Sequence, residues 1–156
     1  MIRVGFLINF NYLKWLGGFY VIKNLIYCIN AFSKKNEIEP ILIVKKKLSR
    51  TEIKEFKNIK LIKTNLFHNQ NLIQKIYNKF LIFLFGKSKN YEFFFNKNKI
   101  DVLSHVNVLS NNVLLGKNSS IKSLPFIADL QHIHYPENFS TKNLLLRNLN
   151  IRMCAA

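Results

Sequence analysis

The run Val4–Ile8, set between Arg3 and Asn9 in RVGFLIN, constrains the fold more than any other stretch. It is apolar at consecutive rather than alternate positions, and a strand of that kind needs cover on both faces. Directly behind it comes NFNYLKWLGG, a loop that closes on Gly17-Gly18. Ile22, Leu25, Ile26, Ile29 and Phe32 then recur at helical spacing. The opening unit reads as strand, glycine loop, helix.

The alternation continues along the chain. EPILIVKK, entered through Pro40, reads as a second strand and NIKLIKT as a third. Between them LSRTEIKEF reads as a short helix with Ser49 or Thr51 as N-cap. Asn71 to about Phe85 reads as a helix with Leu72, Ile73, Ile76, Tyr77, Phe80, Leu81 and Leu84 on its apolar side and Gly86 as its stop. KIDVLSH and SLPFIADLQH supply strands four and five, and Ser140 or Thr141 caps a last helix through Leu144, Leu145, Leu149 and Met153.

This order predicts an α/β fold: a doubly wound, Rossmann-like parallel sheet with helices on both faces, as one domain over 1–156. A chain of 156 residues is long enough to bury about two thirds of its unfolded surface. The final helix runs to the last residue with no Gly, Pro or polar cap, which carries the expectation of a truncated reading frame.

Charge narrows the partners less than its size implies. The formal net charge is +16, from 24 Lys and Arg against 8 Asp and Glu. The cations are mostly scattered lysines, VKKKLSR being the densest cluster, and Arg, the usual base reader, is scarce. Lys, Asn, Ile and Phe are all spelled by A/T-rich codons, so genome composition alone accounts for the pattern. Specific nucleic-acid binding is therefore not the expectation. A diffuse positive field suits phosphorylated substrates or an anionic membrane surface, and Lys75 and Lys79 beside the apolar side of Asn71–Phe85 offer a surface-lying helix as one reading and a core helix with solvated lysines as the other. Cys28 and Cys154 form no C-x-x-C and read as buried thiols in a reducing compartment. VGFLINF lacks a long apolar core and a cleavage site, so no secretory signal is read and a cytoplasmic chain is expected.

Ligands of wound parallel sheets bind beyond the carboxyl ends of the strands. Gly17-Gly18, His105 and Asp129–Glu137 follow predicted strand ends. Gly17-Gly18 offers either an anion cradle at a helix start or a turn requiring positive φ; it is not G-x-G-x-x-G, so no nicotinamide cofactor is indicated. His132 and His134 would share a face on a strand, as metal ligands do, with His105 or Glu137 as further ligands. They equally suit proton transfer, hydrogen bonding to a sugar hydroxyl, or a polar loop ahead of Pro136. No metal is expected. Asp129 offers orientation of a neighbouring His, contact with acceptor hydroxyls, or an Asx-turn.

Two segments together carry a resemblance. GGFYVIKNLIYCIN is similar to the Gly-Gly helix start of bacterial group 1, family 4-like glycosyltransferases. PFIADLQHIHYPENFS resembles their Asp-Phe/Leu-Gln-His-x-x-x-Pro-Glu-x-Phe-Ser segment, in the same order and spacing. The resemblance implies the N-terminal half of a GT-B fold. It implies retaining transfer from a nucleotide-sugar donor to a glycan or lipid-linked acceptor, without a cofactor or metal, in envelope or surface polysaccharide synthesis. On these positions it implies catalytic roles for His132 and Asp129, Gly17 and Gly18 at the donor diphosphate, and Gln131, His134, Glu137 and His105 along the cleft. Many relatives have His directly before the Asp, where this chain has Ala128. The donor-binding half is not in the sequence, so the chain alone is expected to be inactive. The alternative is a non-catalytic Rossmann-like module, or a subunit pairing with a separate donor-binding chain.

Overall fold

The computed structural model describes residues 1–8, 16–34, 37–47, 56, 59–67, 71–107, 115–127 and 130–155. Five strands, β1 (Ile2–Ile8), β2 (Ile38–Lys45), β3 (Lys60–Thr64), β4 (Val102–Asn107) and β5 (Lys122–Phe126), form one sheet in the order β3-β2-β1-β4-β5. Every pairing is parallel. The order reverses direction between β1 and β4, which makes the carboxyl ends of those two strands the topological switch point of the sheet.

β1 and β2 are the central strands, and Phe6, Ile41, Leu42, Ile43 and Val44 are wholly buried. Consecutive burial puts alternate side chains into two separate cores. Phe6, Ile8, Leu42 and Val44 face helix α1 (Leu16–Phe32) through Phe19, Ile22 and Ile26, with Phe56 edge-on to Phe19 at 5.4 Å. Leu7, Ile41, Ile43 and Leu103 face a second core built on Ile82, Tyr91, Phe95, Ile100 and Ile121. The α/β fold with a parallel sheet flanked by helices on both faces is thus as the pattern predicts.

Helix α2 (Leu72–Phe85) starts and stops where expected. Asn71 Oδ1 accepts from the Gln74 amide at 2.8 Å, while Gln74 Oε1 accepts from the Asn71 amide at 3.4 Å, a reciprocal capping box. Gly86 ends the helix in the left-handed region at φ 67°, its amide donating to the Ile82 carbonyl.

The facing of α2 departs from expectation. Its apolar side does not form the core: Ile73, Ile76, Tyr77, Phe80 and Leu84 are exposed, and Asn78 and Ile82 turn inward. Asn78 Oδ1 accepts from Ser88 Oγ at 2.9 Å, and its amide nitrogen lies 3.5 Å from the Tyr91 hydroxyl. Cover for this sheet face comes instead from α3 (Lys89–Lys97), a helix the periodicity does not reveal. Its Tyr91 and Phe95 pack with Phe67, which stacks on Phe95 at 5.7 Å.

Two further elements, the single turn α4 (Gln131–His134) and α5 (Thr141–Ala155), follow β5. Ser140 caps α5, its hydroxyl facing the Asn143 amide at 3.4 Å and its carbonyl accepting from Leu144 at 3.0 Å. Cys28 is exposed rather than buried, because α1 turns Ile22 and Ile26 to the sheet and leaves residue 28 on the outer arc. The helix read over LSRTEIKEF lies outside the described residues apart from Phe56. Among the described residues no helix is long and apolar enough to cross a membrane.

Candidate functional site

Because all five strands run parallel, the carboxyl ends of β1, β4 and β5 lie at one end of the sheet. β4 lies between β1 and β5, so the carboxyl ends of β1 and β5 are about 10 Å apart at ordinary strand spacing. The amino-end edge has a different make-up. There Arg3 Nε meets Glu39 Oε2 at 2.7 Å, Lys60 approaches the same carboxylate at 3.7 Å, and Asp101 accepts from the Arg3 amide at 2.8 Å. Those charges are spent on holding strands in register.

His105 lies within β4 rather than after it. The β4–β5 register slips between Ser104 and Val106, and His105 is the extra residue of that bulge, with φ 57°. The left-handed region costs a non-glycine residue on the order of 1 kcal/mol. Strained residues of this kind cluster at active sites and ligand clamps. The ring sits between Phe126, at 5.2 Å, and Phe6, at 6.3 Å. Its Nδ1 is 2.6 Å from the hydroxyl of buried Ser104. Burial among these rings pushes the imidazole below its usual pKa of 6.5, so His105 is neutral at pH 7. A neutral ring bonded at Nδ1 has Nε2 left as a single donor or acceptor, the tautomer deciding which.

His132 and His134 do not share a face. They sit on the single turn α4, not on a strand, so two residues of separation turn them roughly 200° apart. His132 is 3% exposed and His134 is exposed. The paired metal geometry that a strand would provide is absent, and among the described residues no three His, Cys, Asp or Glu gather as a metal site would need. His132 packs edge-on against Phe139, at 6.4 Å, and the Arg147 guanidinium of α5 lies 4.4 Å over the same Phe139 ring. This stack pins the segment after β5 to α5.

Both ring nitrogens of His132 are buried and have no hydrogen-bond partner among the described residues. Leaving such a group unpaired costs about 1–3 kcal/mol. A buried polar group kept at that cost calls for a partner beyond the described residues.

Of the other expected residues, Gln131 opens α4, and Glu137 is exposed in the 3-10 turn Pro136–Asn138. Gly17 and Gly18 lie inside the first turn of α1, which begins at Leu16, so they form no positive-φ turn. A Cβ on Gly17 would meet nothing within 4 Å, whereas Gly18 is buried. Asp129 lies outside the described residues. His105 and His132 are thus held by separate aromatic contacts, the first through Phe126 of β5 and the second through Phe139. The bulge at His105 was not foreseeable from KIDVLSH; a histidine at a strand end is the only signal the sequence offers there.

No protein-family model, curated protein or solved structure matches this chain. The site's chemistry is therefore read from its own residues.

Proposed function

We propose that this chain is the acceptor-side Rossmann-like domain of a GT-B glycosyltransferase, one that transfers a sugar from a nucleotide-sugar donor to an acceptor hydroxyl. The observation that carries the reading is His132: buried, without a hydrogen-bond partner among the described residues, and set in the DLQHIHYPENFS segment that follows the fifth strand of a parallel sheet. A sugar hydroxyl both donates and accepts a hydrogen bond, which is the complement of an imidazole with one N–H and one bare nitrogen.

The second support is His105. Held neutral at the switch point and bonded to Ser104 through Nδ1, it presents a single polar atom to a ligand. In this reading the two histidines hold the acceptor, and His132 takes the proton of the attacking hydroxyl as the sugar–phosphate bond breaks. The amino end of α1, at Gly17 and Gly18, meets the donor's diphosphate and stabilises its charge as it leaves. Gln131, His134 and Glu137 line the acceptor path. A cytoplasmic position agrees with a nucleotide-sugar donor.

The test is binding of acceptor rather than turnover. Titration of the chain with bacterial-surface oligosaccharides, followed through the histidine ring resonances, is expected to shift His132 and His105 together. His132→Gln, which keeps most of the packing volume, should weaken that binding about tenfold, the loss of a charge-free hydrogen-bond pair. Binding that leaves both rings unmoved would remove the glycan reading and leave a Rossmann-like binding module of another kind.

A further inference from the structure

We propose that α2, together with the groove it forms beside α5, docks the protein onto an anionic lipid bilayer. The inference goes beyond the glycan reading and uses none of its residues.

The starting observation is the reversed facing of α2. Its arc of Ile73, Ile76, Tyr77, Phe80, Phe83 and Leu84 points away from the sheet, with Ile73 77% and Phe83 74% exposed, while Asn78 is 4% exposed on the inward side. Helical steps of 100° place these six side chains within an arc of about 120°. From Ile73 to Leu84 they extend along about 17 Å of the fourteen-residue helix. The arc continues sideways into a groove of about 330 Å³ between Ile76, Phe80 and Phe83 of α2 and Leu146, Leu149 and Asn150 of α5. Leu145 and Leu149 extend the exposed apolar surface on α5. Contiguous apolar surface of this kind marks an interaction face.

Charge selects the occupant. Neither α2 nor α5 carries an Asp or Glu; the cations of the two helices are Lys75, Lys79, Lys142, Arg147 and Arg152. Lys87 and Lys89, exposed just past Gly86, extend the positive rim. Of the acids nearest in sequence, Glu92 beyond α2 is engaged by the Ser119 and Ser120 hydroxyls, and Glu137, four residues before α5, is exposed in the 3-10 turn Pro136–Asn138. A large apolar arc on helices whose charged residues are all cations matches the acyl boundary of a membrane beneath anionic headgroups. Phenylalanines enter the boundary, and ammonium groups reach the phosphates on their apolar stems. A second copy of the chain fits poorly, because each carries +16 and pairing would press two cationic faces together. Since no described helix is long enough to span, the contact is one of α2 lying in the interface.

The experiment is co-sedimentation of the 156-residue chain with vesicles of phosphatidylcholine, with and without phosphatidylglycerol. Partitioning onto the anionic vesicles is expected to be at least about tenfold stronger. Phe80→Ser with Phe83→Ser should weaken it about tenfold or more, since both rings leave the bilayer. Lys87→Gln with Lys89→Gln should weaken it about tenfold. Phe32→Ser, on α1 across the sheet, should change nothing. Hydrogen exchange of the unaltered chain should show vesicle-induced protection confined to α2 and α5. Absence of partitioning onto anionic vesicles, equal partitioning of all variants, or protection centred elsewhere would overturn the proposal. So would a dimer, seen by sedimentation equilibrium, that the double phenylalanine variant dissolves.

Discussion

Helices α1 and α2 look alike as sequence and behave as opposites in the fold. Both carry a wide apolar stripe at helical spacing beside lysines. α1 turns its stripe inward, so that Phe19, Ile22 and Ile26 complete one core of the sheet. α2 turns most of its stripe outward and contributes Ile82 and the amide of Asn78 to the other face. The difference teaches that an apolar stripe reports the need for a partner and not its identity. On one side the sheet is that partner. On the other the sheet is already covered by Tyr91 and Phe95 of α3 with Phe67 behind them, and α2 is displaced outward.

The largest effect that would break this contrast comes from matched truncations. Ile26→Ala should cost about 2–5 kcal/mol in urea unfolding, the range for a buried aliphatic cut to alanine, whereas Ile76→Ala should stay within about 0.5 kcal/mol. Equal losses would mean that α2 buries its stripe as α1 does. Next in size is Asn78→Ala. It strands the buried Ser88 hydroxyl and should cost about 1–3 kcal/mol; a silent substitution would mean that Asn78 faces water. Gly86→Ala should cost about 1–2 kcal/mol from the left-handed backbone, and its new methyl would stand 3.0 Å from Asn118 Cβ. That loss would locate the end of α2 by stability alone. Asn71→Ala, at the other end, should cost about 1 kcal/mol through the lost cap.

The smallest effect lies at the carboxyl edge of the sheet between the two helices. Burial holds the His105 pKa below 6.5 in the folded chain. As pH falls past 6.5 the unfolded chain therefore binds the proton first, and stability decreases with pH from there down through the folded pKa. Above 6.5 His105 contributes no slope. His105→Gln should flatten this part of the urea-midpoint profile, and an unchanged profile would place the titration elsewhere.

Much of the fold was legible. Val4–Ile8 and Pro40–Val44 are apolar at every position, so a sheet covered on both faces followed from the chain alone. Gly86 stopped its helix for a local reason, the absence of a Cβ at φ 67°. α3 was hidden because KNYEFFFNK presents three consecutive phenylalanines, which blur helical period over nine residues. The site was legible in residue type and not in geometry. His105 and His132 were both candidates, but neither the bulge that strains the first nor the turn that buries the second while exposing His134 leaves a mark in local spacing.

What the sequence determined by itself was local: the order of the five strands, the helices α1, α2 and α5 between and after them, and the capping of α2, all set by backbone preference and by which residues must leave water. What the tertiary structure alone decided was competition. Several stripes and rings could each cover the same sheet face, and only the packed arrangement, in which Tyr91 and Phe95 occupy that face ahead of Phe80 and Phe83, settled which apolar surface is core and which remains for a partner.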